Sequence, residues 1–245
     1  MCIRDSFNGL KDLASGVIRT PDDPVISFSD DPLRMLRVCR FISTHGFSPD
    51  NETYMAMKDN TERIKIVSTE RIRDEISKLL VGENPSLGLR TFVESGLSSY
   101  IIPELNELKI EVDPNHHHKD VYEHTLTVVD NVSPTLVRRL GALFHDIAKP
   151  ETKGIENGKV HFRHHEVVGA KMTKRILQEL KYDKKTIKNY VISCTSVDCD
   201  SDEATADQYN VESYPTIKLV KDGTVYEYDA KPNIETLGEF LNSVL

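Results

Sequence analysis

Long apolar runs are missing from this chain. No stretch of its 245 residues approaches the roughly 20 consecutive apolar residues that cross a bilayer, and the start, MCIRDSFNGLKDL, has no apolar signal core. These absences predict a soluble, cytoplasmic protein with no membrane partner. Cysteine is scarce too. Cys2, Cys39, Cys194 and Cys199 form neither a CxxC pair nor a dense framework, so reduced thiols are expected and a disulfide scaffold is excluded. Internal repeats and low-complexity segments are absent. From Tyr190 onward the chain also lacks arginine and histidine, which divides it in two.

The charge makes the same division. Of the 39 acidic residues 11 lie from Tyr190 on, against 3 of the 31 basic ones, which leaves residues 1–189 balanced at 28 of each. The net charge of -8 therefore belongs to the tail. A seam near residue 189 and two separate units follow.

The front unit has helical periodicity. Asp31-Pro32 is a helix start, because Asp caps free amides and Pro suits the first turn, and Met35, Val38, Cys39 and Ile42 then recur at i, i+3, i+4, i+7. The neighbouring face carries Arg34 and Arg37, with Asp30 and Asp31 at its mouth. A second helix runs through Ile72, Ile76, Leu79 and Leu80 and stops at Gly82. A third holds Leu136, Leu140, Leu143, Phe144 and Ile147 and ends at Lys149-Pro150, and Val168, Met172, Ile176 and Leu180 mark a fourth. The tail differs. Thr216–Val220 and Thr224–Tyr228 are β-rich runs separated by Lys-Asp-Gly, a hairpin, and Ile234, Leu237, Phe240, Leu241 and Val244 give a closing helix. The expected fold class is mainly α, followed by a partial α/β segment.

Histidine and aspartate mark a candidate metal site. In GALFHDIAK (Gly141–Lys149), His145-Asp146 sits in an apolar run, two to three turns into a buried helix, where an unpaired carboxylate would cost several kcal/mol without a partner. His124 shares a face with Val121 and Val128. His165 shares one with Val168, Gly169 and Met172, whereas His164 lies beside Lys171 and Arg175. Imidazoles and a carboxylate converging from separate helices suit a divalent ion, so His124, His145, Asp146 and His165 are the candidate ligands. A buried histidine is also commonly a hydrogen-bonded core residue. His116-His117-His118, after Asp113-Pro114, reads as an exposed loop.

The order His, His-Asp, His on successive helices resembles the HD superfamily of metal-dependent phosphohydrolases. That superfamily closes its site with a further Asp on a later helix; Asp183 comes early and in a polar run, so the site is expected to be one ligand short. More of the chain, about Phe7 to Lys188, is similar to the bacterial CCA-adding tRNA nucleotidyltransferases and poly(A) polymerases. The motifs are FNGLKDLASGVIRTP, FSDDPLRMLRVCRF, STERIRDEISKLL, ESGLSSYIIPEL, DVYEHTL and FHDIAK, in family order. The resemblance implies a leader over 1–6, a neck that binds RNA and nucleotide over 7–110, a truncated HD domain over 111–188 and a separate segment over 189–245.

It also implies roles. Asp30-Asp31-Pro32-Leu33-Arg34 matches the family's acidic template motif, in which carboxylate and guanidinium read the Watson-Crick edge of an incoming ATP or CTP. Asp31 as a helix cap and Arg34 as a surface arginine is the plain alternative. Asp12 and Arg19 match a flexible element that helps orient the nucleotide, and Arg37 adjoins the motif. The implied partners are the 3' end of tRNA or another RNA, with ATP or CTP, and the implied cofactors are a divalent metal at the HD site and Mg2+ for the full-length enzyme. Family nucleotidyl transfer uses a glycine-serine motif and paired carboxylates in a head domain before Phe7, where only MCIRDS stands, a stretch that resembles translated adapter sequence. These 245 residues are therefore expected not to add nucleotides by themselves. Two other outcomes stay open: a free-standing HD phosphohydrolase, and a non-catalytic module that binds RNA or protein.

Basic residues of the front unit, Arg63, Lys65, Arg71 and Arg73 among them, could meet RNA phosphates or form solvated helix faces. The tail SVDCDSDEATADQYNVESYPTIKLVKDG is similar to the second half of thioredoxin and protein disulfide isomerase domains, with Pro215 at the cis-proline position. The CxxC half is not present, Cys194 and Cys199 are spaced CxxxxC, and no redox activity is expected. Half of one fold joined to part of another predicts a chimera.

Overall fold

The computed structural model describes residues 7–110, 120–156, 159–187, 217–221 and 224–228. Two compact units divide between residues 196 and 197. In the first, α1 (Gly9–Ser15) leads through β1 (Val17–Ile18) to α2 (Pro24–Asp30) and α3 (Leu33–His45), then β2 (Ser48–Pro49), α4 (Asn51–Asp59) and a 3-10 stretch, Thr61–Ile66. There follow α5 (Thr69–Leu80), α6 (Pro85–Glu94) and two single turns, α7 (Ser98–Ile101) and α8 (Glu104–Glu107). Next come α9 (Val121–Asn131), α10 (Leu136–Phe144), α11 (Lys149–Thr152), the antiparallel pair β3 (Lys153–Glu156) and β4 (Lys159–Phe162), and α12 (His165–Glu179).

Helix α3 buries the stripe its sequence announces: Met35, Val38, Cys39 and Ile42 are all in the core, and burial pushes the Cys39 thiol up from its ordinary range. Asp31 precedes the helix, its carboxylate accepting from the Leu33 amide at 3.3 Å, so the expected start is displaced by only a residue or two. Helix α2 was not anticipated, although Asp23-Pro24 repeats the grammar of Asp31-Pro32. Its Asp23 carboxylate accepts from Val25 and Ile26 at 2.9 and 3.1 Å. Nor is the front unit wholly helical. Strands β3 and β4 pair antiparallel from Lys153 with Phe162 to Glu156 with Lys159, shortly before His165 starts α12.

Helix α3 packs on α5 and α6, α6 on α9, and α9 on α10. One hydrophobic cluster runs from Phe28 through Leu79, Phe92, Leu126, Phe144 and Leu177 to Tyr182, so a single core underlies everything from α2 to the end of α12. The α3–α6 contact depends on a missing side chain. A Cβ on Gly88 would lie 2.6 Å from the Cys39 carbonyl and 2.8 Å from the Ser43 Cβ. We expect Gly88→Ala to cost about 1–3 kcal/mol through forced separation of the helices, a loss that thermal unfolding would register. Arg90 binds Glu123 in a two-pronged pair of 2.6 and 2.8 Å that fastens α6 to α9, and buried Arg139 donates to the Val129 carbonyl between α9 and α10.

In the second unit the described residues are an antiparallel pair, β5 (Ile217–Lys221) and β6 (Thr224–Tyr228), in register from Ile217 with Tyr228 to Lys221 with Thr224. The hairpin expected there is present, with Lys221 drawn into its first strand. The closing helix, Pro215, Cys194, Cys199 and the His116–His118 run lie outside the described residues. No helix among the described residues is long and apolar enough to cross a membrane.

Candidate metal centre and template face

His145 and Asp146 do not lie inside a helix. Helix α10 ends at Phe144, His145 is its C-cap, and the next residues form a turn closed by Ile147 N–H to Phe144 O at 3.2 Å and Lys149 N–H to Asp146 O at 3.0 Å. The physical reason is a competing donor. His145 Nδ1 takes the Ala142 carbonyl at 2.8 Å, an acceptor that a continuing helix would give to the backbone. The turn aims both side chains at one point.

Asp146 is the centre, with only 4% of its side chain exposed. Its Oδ2 accepts from Lys149 Nζ at 2.8 Å, with His145 Nε2 3.1 Å and His124 Nε2 3.8 Å away. His165 Nε2 faces the other oxygen, Oδ1, at 3.8 Å. His124, His145 and Asp146 have donor atoms mutually within 4.8 Å, and they form the metal-capable group among the described residues. His124 departs from the inward placement expected of it: its side chain is 52% exposed, which leaves the centre open to solvent on that side. Lys149 was not anticipated, though its i+3 spacing from Asp146 on a turn could have suggested it.

The ring hydrogens test whether a cation fits. A carbonyl can only accept, so His145 Nδ1 carries the hydrogen toward Ala142, and His165 Nδ1 carries one toward Phe162 O at 2.8 Å, with Glu166 Oε1 at 3.2 Å beside it. In the neutral rings each Nε2 is then a bare lone pair turned toward the same carboxylate. Such an arrangement needs a proton or a metal ion between the partners, and backbone or carboxylate acceptors on Nδ1 are how metal-binding histidines are oriented. Burial acts against a charged His145, but the hydrogen bond and charge of Asp146 outweigh it and raise its pKa. Burial would likewise raise Asp146; the hydrogen bond and charge of His145, and then those of Lys149, hold it at about 2. The donor set fits a divalent ion, with His124, His145 and Asp146 to hold it and His165 alongside.

Asp183 does not extend this set. It is exposed and its carboxylate is engaged locally, accepting from Thr186 N at 2.9 Å and Thr186 Oγ1 at 2.6 Å.

The residues expected to read a nucleotide lie around the start of α3. Asp31 is bound by Arg71 at 3.1 Å, and Arg34 turns back onto α2, donating to Ser27 Oγ at 2.6 Å and Ser27 O at 3.3 Å. Arg34, Arg37 and Asp30 are exposed and Asp31 half-buried. Asp12 and Arg19 form a 3.1 Å pair, and Arg19 reaches Asp50 at 2.8 Å. Of the basic residues that could meet phosphates, Arg71 is held by Asp31, Arg73 by Asp74 at 2.7 Å, Lys65 by Glu62 at 2.9 Å, and Arg63 donates to Ser29 O at 2.9 Å. These surface pairs are each worth about 0–1 kcal/mol, so a polyanion can displace them.

Residues 46–109 match the family model described as probable RNA and SrmB-binding site of polymerase A, and residues 121–196 match the HD domain. The A-adding tRNA nucleotidyltransferase of Deinococcus radiodurans is 29% identical over 219 residues, 84% of this chain and 50% of that protein. Over its neck and HD segments the chain resembles the tRNA nucleotidyltransferases. The CC-adding tRNA nucleotidyltransferase of Thermus thermophilus is 31% identical over 64% of this chain and 39% of its own length, and the CCA-adding enzyme of Ligilactobacillus salivarius is 42% identical over 40% and 24%. The chain thus spans half or less of these curated relatives. Residues 170–243 match the thioredoxin model, which overlaps the end of the HD match; the described residues of that tail are the β5–β6 hairpin.

Proposed function

We propose that residues 7–110 are the nucleotide-selecting, RNA-binding neck and 111–188 the HD domain of a tRNA nucleotidyltransferase, working on RNA 3' ends with ATP or CTP. The observation that carries this reading is the succession of RNA-binding and HD matches in a single helical unit whose curated relatives are nucleotide-adding enzymes. Arg34 supplies donors and Asp31 and Asp30 acceptors for a base edge, while Arg37, Asp12 and Arg19 flank them. When a nucleotide arrives, Arg34 exchanges Ser27 for the base, a neutral partner that is readily replaced.

Calorimetric titration with ATP and CTP tests the template role. Loss of one good base-reading pair is worth about 1–3 kcal/mol, so Arg34→Ala is expected to weaken nucleotide binding roughly 5- to 100-fold. Equal binding by wild type and variant would remove Arg34 from the role.

The metal centre favours a second reading for the HD unit, hydrolysis of phosphomonoesters or cyclic nucleotides. A bound divalent ion would supply Lewis acidity and lower the pKa of a bound water. Half-exposed His124 leaves an approach to Asp146, and the Lys149 ammonium beside that carboxylate suits an anionic substrate. Metal-dependent hydrolysis, read as phosphate release from a monoester or as nucleoside monophosphate formed from a cyclic nucleotide and lost in His145→Ala, is the expected result; hydrolysis that survives the substitution would dismiss it.

A further inference from the structure

The exposed face of α3 does not end with its arginines. At 3.6 residues per turn, Arg34, Arg37, Phe41 and His45 fall in one stripe, and all four are exposed. Toward the C-terminal end the stripe becomes aromatic. Phe41 stacks on His45 with ring centres 5.9 Å apart, His45 meets Phe47 at 5.3 Å, and the Arg40 guanidinium lies 4.5 Å from the Phe41 ring centre. Three rings in file on a protein surface, backed by a cation, are unlike the isolated exposed hydrophobics found on any soluble protein.

These rings form one wall of a cleft of about 310 Å3 whose other wall is the N-terminal arm, with Leu13, Asp12 and Arg19 lining it. The arm is fixed there. Strand β1 pairs in parallel with β2, Ser48 N–H reaches Gly16 O at 2.9 Å and Asp50 N–H reaches Ile18 O at 3.1 Å, and Arg19 bridges Asp12 and Asp50. Gly16, at φ +66°, brings this backbone against the Phe47 ring; a Cβ there would touch Phe47 Cδ1 at 3.5 Å. The cleft is therefore preformed, ring-lined, and provided with a guanidinium that is 49% exposed. Flat aromatic walls match an unpaired base, since every base has a π-face and stacking needs no sequence, and Arg19, paired in the free protein with Asp12 and Asp50, would meet the phosphate by exchanging one of these partners.

We propose that this cleft seats an unpaired nucleobase, stacked on the Phe41–His45–Phe47 wall with its phosphate toward Arg19, and that the base belongs to the RNA strand engaged by the neck. The reading rests on the proposed function above. Phe41 lies seven residues beyond Arg34, about 10 Å along the helix at ~1.5 Å per residue, close to three stacked nucleotides at ~3.4 Å each. Arg37 stands between them on the same stripe. The strand can thus continue from the 3' end that meets the incoming nucleotide at Asp31 and Arg34, past Arg37, into the cleft.

The test uses the full chain and a short single-stranded RNA carrying 2-aminopurine at successive positions from its 3' end, with ATP titrated separately. Stacking in the cleft should quench the fluorophore at one position two to three nucleotides from the end. Removing one base–ring stack costs about 1–3 kcal/mol, so Phe41→Ala should weaken RNA binding roughly 5- to 100-fold and abolish the quench, and Phe41→Tyr should restore both. Phe41 is 37% exposed, and matching thermal melts will verify that the fold persists in the variants. A loss confined to ATP would assign the stacked base to the free nucleotide instead of the strand. Wild-type RNA and ATP binding that Phe41→Ala and Phe47→Ala both leave intact overturns the cleft alone. Absence of binding by the wild type overturns the neck reading with it.

Discussion

Replacing Asp146 by alanine should abolish divalent-metal binding by the first unit. The expectation follows from geometry: Asp146 Oδ2 is the atom on which His145 Nε2, Lys149 Nζ and His124 Nε2 converge, at 3.1, 2.8 and 3.8 Å. Even outer partners of a metal ligand are worth 10- to 100-fold in affinity, so loss of the central carboxylate should exceed ~100-fold. Titration with Zn2+ or Mn2+, followed by calorimetry, measures it. Asp146→Asn separates charge from shape, because the amide keeps the size and loses the negative charge; it should bind as poorly as alanine. Wild-type affinity in Asp146→Ala would mean that the histidines hold metal without it, or that the buried carboxylate serves only as counter-ion to Lys149 and His145.

The largest loss of stability is expected at Phe144→Ala. The ring is 1% exposed, closes α10, and belongs to the cluster that joins α2–α6 to α9–α12. Its removal deletes a large buried ring and leaves a cavity, which costs about 3–5 kcal/mol. Phe144 also immediately precedes His145, and its carbonyl accepts the Ile147 amide that shapes the turn. The variant should therefore melt well below wild type and bind metal less tightly at the same temperature. Denaturant unfolding gives the first number. A change below 1 kcal/mol would show that the core collapses around the gap, and that the two helical halves are not held by this ring.

Much of the fold was legible because its signals are local. The α3 stripe, the run from Ile72 to Leu80 and the stripe from Val168 to Leu180 all appear as helices facing a core. What escaped was decided by contacts or by overlooked punctuation. Asp23-Pro24 starts α2 with the same chemistry as Asp31-Pro32, and the β3–β4 pair is a short interruption in a unit that is mainly helical as expected. The site divides in the same way. Residue type marks His124, His145 and Asp146, whose donor atoms lie close together, but their placement departs from the helical faces expected of them: His124 is exposed and His145-Asp146 sits on a turn. That His145 ends its helix by bonding Ala142 O, and that Lys149 shares Asp146 Oδ2, depend on the turn itself. Periodicity marks the exposure of Arg34 and Arg37 but cannot show that Asp31 is held by Arg71, a partner 40 residues away. The ring file of Phe41, His45 and Phe47 passes unnoticed in sequence because Phe47 lies beyond the helix end at Gly46, where periodicity stops.

The proposed neck and HD portion of a tRNA nucleotidyltransferase is tested most directly by tRNA binding of the full chain. Fluorescence anisotropy with a tRNA lacking its last nucleotides, at two salt concentrations, should show saturable binding that weakens as salt rises and that falls roughly tenfold in Arg34→Ala. Binding that is undetectable, or that is matched by an unrelated double-stranded RNA and indifferent to Arg34, would contradict the account.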